Sequence, residues 1–504
     1  MPISLPFEQL VVPVRQSGAR VGTATLARHS SAVLLLGSQP GAADWNALPH
    51  GTLLRQLFKD KIRKGGDSFH VRIGARAETL LVVACIDAAR GTFEHLQAAA
   101  KLARVALDGD PRSILIWQQG CEAAPANAAM LALVAAVQAA SFRLASFKSK
   151  PKARPRLAYI EIARSGKLPD LDATLASAGG NNLARWLTAL PPNYLDARGY
   201  RRLVREFAQH LGLSFRFYGE PELKRLGAGA FLAVSSGNAT RDAGIAYLSY
   251  RPRGGRAARV SLVGKGICFD TGGTNLKPHK SMLDMHTDME GSAVALGSLY
   301  ALHALRSPLA VDCWLAITEN RIGPTAYKPQ DVVRAMNGTT IQVIHTDAEG
   351  RMVLADTLAL AATKKPQAII DYATLTGACV YALTERYSGA FTNRPATRAA
   401  IESAGSSSGE RVWCFPMDAD FDSDIDSSVA DVQQCPVEGR GDHILAARFL
   451  NRFVPSEIAW LHLDLAAGSR HGGLAHITTD ITGFGVRYTL ELLRRGWPHA
   501  AAKP

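Results

Sequence analysis

Short apolar runs rich in Val, Ile and Leu alternate with longer helix-like segments along most of this 504-residue chain. This pattern constrains the fold more than any other feature, because a strand–helix–strand repeat builds parallel sheets covered by helices. Strand candidates lie at 32–36, 80–86, 113–117, 157–162, 244–250, 259–263, 311–317, 340–344, 367–371 and 458–463. Helical segments at 93–106, 291–305 and 352–363 fall between them. The expected class is α/β, with a central, mostly parallel sheet flanked by helices. The basic stretch Lys148–Pro155 and a polar connector through Gly179-Gly180 mark a division. A smaller amino-terminal α/β domain is placed at 1–165, with a role in assembly or regulation, and a larger α/β domain at 176–504.

Bulk properties exclude several classes. Hydrophobic residues make up 47% and charged residues 20%, which argues against disorder. The first ten residues lack a basic region followed by an apolar one, so no secretory signal is expected. No uninterrupted apolar stretch approaches the roughly 18 residues of a membrane helix, and no membrane role is expected. The seven cysteines are odd in number and include no C-x-x-C pair. That argues against a disulfide framework or a cysteine zinc site, and for a reducing cytoplasm. The net charge of +13 permits nucleic-acid contact. Arg143, Lys148, Lys150, Lys152, Arg154 and Arg156 form one basic group, and Arg251, Arg253, Arg256 and Arg259 another. No nucleic-acid motif accompanies either group, and a solvated linker and a strand-connecting loop account for them more simply.

Three clusters carry chemistry. The first runs from an apolar strand through Gly264-Lys265-Gly266 to Asp270 and Gly272-Gly273, with Lys277 beyond it. Its spacing does not match a phosphate-binding loop. In the second, Asp288 precedes an alanine-rich helix, where an aspartate also serves as a helix cap. The third is His345-Thr346-Asp347-Ala348-Glu349-Gly350-Arg351, between the 340–344 strand and the 352–363 helix. Ligands bind at the carboxyl ends of strands in open α/β sheets, and a helix amino terminus with an arginine attracts anions. Carboxylates gathered in one cleft need a counter-charge. Two divalent ions about 3.5–4 Å apart would supply it and form a hydrolytic site.

At these positions the chain resembles the leucyl aminopeptidase (cytosol aminopeptidase) family of dinuclear metallopeptidases. Thr346-Asp347-Ala348-Glu349-Gly350-Arg351, followed by Val353-Leu354-Ala355-Asp356, is close to that family's signature. Weaker agreement extends over about 180–490, including Ala373–Ala378 and His462-Leu463-Asp464. The resemblance implies a metal-dependent aminopeptidase that removes leucine or similar apolar residues from peptides with a water activated between two ions. It assigns Lys265, Asp270, Asp288, Asp347 and Glu349 as metal ligands. Lys277 and Arg351 become catalytic residues, with Arg351 holding a bicarbonate that acts as general base. Met285, Thr374 and Gly377 should line the first side-chain pocket. Mn²⁺ or Zn²⁺ is the expected metal, and a homohexamer the expected assembly. The same resemblance leaves room for a Cys-Gly dipeptidase or a DNA-binding regulator. Glu290 and His345 depart from the family pattern. Glu290 is expected either to reach solvent or to add charge behind the metal site.

Overall fold

The apolar run at 32–36 lies near the middle of a six-stranded sheet in the computed structural model, which describes residues 3–18, 20–74, 78–150, 155–253 and 257–499. The strands are β1 (Val14–Ser17), β2 (Ser31–Leu36), β3 (Ser68–Ile73), β4 (Thr79–Cys85), β5 (Ser113–Gln119) and β6 (Tyr159–Ala163). Their order is β1-β6-β5-β2-β4-β3. All neighbours are parallel except β3, which runs antiparallel to β4 at the edge. β2 and β4 are buried along their whole length, as continuous apolar runs in a parallel sheet must be. This sheet belongs to a unit comprising Glu8–Ala178 and His471–Asp480. Its helix Ala123–Ser141 is long and apolar enough, by length and composition alone, to cross a membrane. Met130, Leu133, Val134 and Val137 of that helix are buried in the unit.

A second unit comprises Met1–Phe7, Gly179–Arg470 and Ile481–Pro504. Its strands are β7 (Ser214–Gly219), β8 (Gly244–Tyr250), β9 (Arg259–Asp270), β10 (Ala310–Asn320), β11 (Val332–Arg334), β12 (Thr340–Gln342), β13 (Ala368–Ala373), β14 (Ser388–Thr392), β15 (Val412–Cys414), β16 (Val432–Gln433) and β17 (Ala459–Asp464). Eight of them form a sheet in the order β15-β14-β17-β13-β9-β10-β8-β7. Its central four, β17-β13-β9-β10, are parallel, and antiparallel pairs flank them. The helices Glu290–Ala304 and Glu349–Ala362 are buried almost all round. A helix apolar on every side belongs in a core.

Two sequence expectations need correction. The 340–344 run is shorter than expected and pairs outside the central sheet, in a small sheet of order β11-β12-β16. Its apolar residues Ile341 and Val343 are buried against the helix Glu349–Ala362 in the same core, so an apolar run alone did not reveal which sheet it joins. The stretch read as a polar connector through Gly179-Gly180 is helical from Leu171 to Thr188. Close packing explains the glycine here: a Cβ on Gly180 would lie 2.3 Å from the Gly297 carbonyl oxygen. Lys152, Arg154 and Arg256 of the two basic groups lie outside the described residues.

Candidate metal centre

Strand β9 carries Lys265 at its middle and Asp270 at its end, so the lysine projects from regular strand and not from a loop. The side chain runs against the first turn of the helix Glu349–Ala362, where a Cβ on Gly350 would lie 2.7 Å from Lys265 Nζ. A side chain at this position would force the end of the lysine to move. Lys265 Nζ lies 2.7 Å from Asp288 Oδ1 and 2.8 Å from Glu349 Oε1, and it donates to the Thr374 carbonyl at 2.9 Å. Lys277 Nζ lies 3.0 Å from Asp270 Oδ2 and 2.6 Å from Asp347 Oδ1. Two ammonium groups thus knit together the four carboxylates expected from the sequence.

The carboxylates are held from behind. Asp270 Oδ1 accepts from Asn320 Nδ2 and from the Gly272 amide, both at 2.8 Å. Asn320 ends β10 beside Asp270, its register partner across the parallel pair. Thr374 Oγ1 donates to Asp288 Oδ1 at 2.8 Å. Asp288 does not cap the next helix, whose N-cap is Met289 with no side-chain bond. Nor do Asp347 and Glu349: that helix is capped by Ala348, and Glu349 and Arg351 already lie in its first turn. The capping explanation for all three carboxylates therefore fails.

Charge does not balance within the cluster. Asp270, Asp288 and Glu349 are buried, and Asp347 is half-buried. Burial is the main cause holding the carboxyls of Asp270, Asp288 and Asp347 above the usual range, and neighbouring carboxylates add to it at each. Burial opposes the charge on Lys265, but Asp288 and Glu349 outweigh it and push the ammonium above its ordinary value. Lys277 is raised in the same way, mainly by Asp270. Asp288 Oδ2 and Glu349 Oε2 are buried with no hydrogen-bond partner, a costly state for an anion unless a cation completes it. Oxygens of Asp270, Asp347 and Glu349 lie within 4.8 Å of one another. An all-oxygen set with one amine suits hard or borderline divalent ions.

Arg351 is buried beside this cluster. Its Nη2 donates to Asp442 Oδ2 at 2.8 Å and its Nη1 to the Gln434 carbonyl at 3.2 Å. Gln434 also staples the loop that carries Asp347. Its Oε1 accepts from the amides of Ile344 at 3.1 Å and His345 at 3.2 Å, and its Nε2 donates to the Ala348 carbonyl at 3.0 Å. Of the three pocket residues, Thr374 is brought to the cluster, Met285 sits in the short turn before Asp288, and Gly377 is exposed at the start of the helix Gly377–Leu383.

Sequence reasoning missed Asn320, Gln434 and Asp442, and gave no role to Asp464. The last accepts from Leu375 N at 3.1 Å and Thr376 Oγ1 at 2.7 Å, and so shapes the Thr374 turn. Asp464 had left a signal, in the His462-Leu463-Asp464 match at the end of a predicted strand, and Asn320 lies three residues beyond the 311–317 run. Glu290 does not reach solvent. It is buried, and its carboxyl is pushed up to about 8 by that burial, with the Gly483 amide in partial opposition. Its carboxylate covers Gly468, where a Cβ would lie 2.5 Å from Oε2. Arg251 and Arg259, from the second basic group, lie 2.7 and 3.7 Å from the buried Asp312, which already engages part of that group's charge.

Residues 182–490 match the catalytic domain of the cytosol aminopeptidase family. The chain belongs to that family. The probable cytosol aminopeptidase of Chlorobaculum tepidum is 40% identical over 317 residues, which cover 63% of this chain and 62% of that protein. That of Parasynechococcus marenigrum is 36% identical over 471 residues, covering 90% and 94%. Among solved structures, the bottromycin maturation enzyme BotP in complex with Mn is similar at a TM-score of 0.80 and 31% identity, covering 92% of this chain and 98% of that one. The catalytic domain here is that of a metal-dependent aminopeptidase of this family.

Proposed function

We propose that the whole protein is an aminopeptidase that holds two divalent ions and releases amino-terminal residues from peptides, with leucine and other apolar residues preferred. The observation that carries this reading is the buried cluster of Asp270, Asp288, Asp347 and Glu349 with oxygens left unpaired beside Lys265 and Lys277. Asp270, Asp288, Asp347, Glu349 and Lys265 would hold the ions, and Lys265 Nζ would give up its proton to join them. Two such ions would neutralise the carboxylates and would supply water activation and polarisation of the scissile carbonyl. Mn²⁺ is favoured by the likeness to an enzyme solved with Mn, and Zn²⁺ suits the same donors.

Lys277 Nζ, 3.0 Å from Asp270 Oδ2 and 2.6 Å from Asp347 Oδ1, would donate to the carbonyl oxygen as it gains negative charge. Such a donor contributes roughly 3–4 kcal/mol. The Thr374 turn beside Asp288 would receive the first side chain, with Met285 and Gly377 as further walls. Arg351 is the expected bicarbonate holder. Family membership also carries the expectation of a cytoplasmic homohexamer; a particle mass near six chains in solution would support the assembly.

The test is hydrolysis of leucine para-nitroanilide by metal-stripped protein, with Mn²⁺, Zn²⁺, Co²⁺ or Mg²⁺ restored singly. Release that returns with metal, and exceeds that from arginyl, glutamyl and Cys-Gly substrates, is expected. Tight metal binding with no turnover of any aminoacyl substrate would overturn the reading.

A further inference from the structure

The place expected to hold bicarbonate is already occupied. Both terminal nitrogens of Arg351 are engaged, Nη2 by the Asp442 carboxylate at 2.8 Å and Nη1 by the Gln434 carbonyl at 3.2 Å. Arg351 is 2% exposed, and the Asp442 side chain that meets it is 22% exposed. Asp442 opens the helix Asp442–Asn451, but its side chain does not cap that helix, whose N-cap is Gly441. Its carboxylate instead turns one oxygen to Arg351, while the other, Oδ1, is buried without a hydrogen-bond partner. A bicarbonate at Arg351 would lie against this carboxylate. Two anions confined to one buried site repel strongly unless one is protonated. Arg351 Nε remains buried without a hydrogen-bond partner, but an external anion reaching it would still meet the Asp442 carboxylate, so the residues present do not fit one.

We propose that Asp442 fills the anion position at Arg351 and serves there as the built-in base, replacing bicarbonate. The inference rests on the aminopeptidase reading. Attacking water passes a proton to Asp442 Oδ1 as its oxygen bonds to the peptide carbon. The same proton then moves to the departing amine nitrogen as the carbon–nitrogen bond breaks, which restores the carboxylate. Arg351 orients Asp442 through Oδ2 and keeps Oδ1 free for this exchange.

The test titrates ¹³C-bicarbonate into the metal-loaded protein by NMR and measures turnover in carbon-dioxide-free buffer. The native protein should show no saturable bicarbonate binding and no change in rate when bicarbonate is removed. Asp442→Ala should lose about a hundredfold in rate without bicarbonate, in the range of one general base. It should also gain a bicarbonate site, recover part of its rate on adding bicarbonate, and lose that site when Arg351→Ala is added. Asp442→Asn, closer in shape, should show the same loss without the rescue. Saturable binding by the native protein, or an Asp442→Ala variant that is neither slowed nor supplied with a new site, overturns the proposal. Absence of turnover in the native protein would instead sink the aminopeptidase reading, and the binding measurement would still report on the anion position.

Discussion

The two sheets end in loops of opposite character. In the Glu8–Ala178 unit, the loops after β2 and β5 touch: a Cβ on Gly37 would lie 1.8 Å from the Gly120 carbonyl oxygen. The carboxylate nearby, Asp44, accepts from Gln119 Nε2 and from the Gly41 amide, both at 2.9 Å. In the catalytic unit, strand β9, the segment after it and the starts of the helices Glu290–Ala304 and Glu349–Ala362 gather four carboxylates and two lysines, with buried oxygens left over. The architecture is shared, but among the described residues only the catalytic unit gathers three carboxylates close enough to hold an ion. Parallel strands offer a place for ligands, and the side chains at their ends decide whether that place is used.

This comparison can be broken by removing the charge. Asp347→Ala should abolish turnover and reduce bound metal, as read by elemental analysis of the purified protein. Full activity in that variant would mean the cluster is structural, like its counterpart at Asp44. Lys277→Ala should keep its metal and lose roughly 10²–10³-fold in kcat. A rise in KM alone would assign Lys277 to substrate holding. Gln434→Ala, which frees the loop carrying Asp347 without touching a metal ligand, should lose about 10–100-fold in kcat/KM, the usual range for groups that orient ligands.

The smallest expected effect lies in the other unit and depends on pH. His29 is buried against Ser113 and Glu161, at 2.9 and 3.4 Å. Burial holds its imidazole below the ordinary value, against the pull of Glu161. A free imidazole titrates near 6.5. Below that pH the unfolded chain therefore takes up protons that folded His29 refuses, and stability falls. Hydrogen-exchange protection of β2 should decline between pH 7.5 and 5.5 once intrinsic exchange is corrected. His29→Gln should flatten the decline, and an unchanged slope would remove His29 as its cause.

Local signals made much of the molecule legible. The apolar runs located β2, β4, β5, β6, β8, β9, β10, β13 and β17, because burial on both faces writes a continuous pattern into the sequence, but they missed β1, β3, β7, β14 and β15. The Lys265–Lys277 and Asp347–Arg351 segments announced the metal cluster, because their chemistry is compressed into short loops and helix starts. Tertiary structure decided what those segments meet. The sequence could not reveal that the 340–344 run leaves the central sheet, since partner choice depends on long-range packing. Nor could it show that Glu290 points inward onto Gly468, or that Gln434 and Asp442 reach back to Arg351 from 83 and 91 residues away. A side chain's partner across such a span is set by how the helices and loops pack. An isolated aspartate in a glycine-rich segment looks the same whether it faces water or, as Asp442 does, a buried guanidinium.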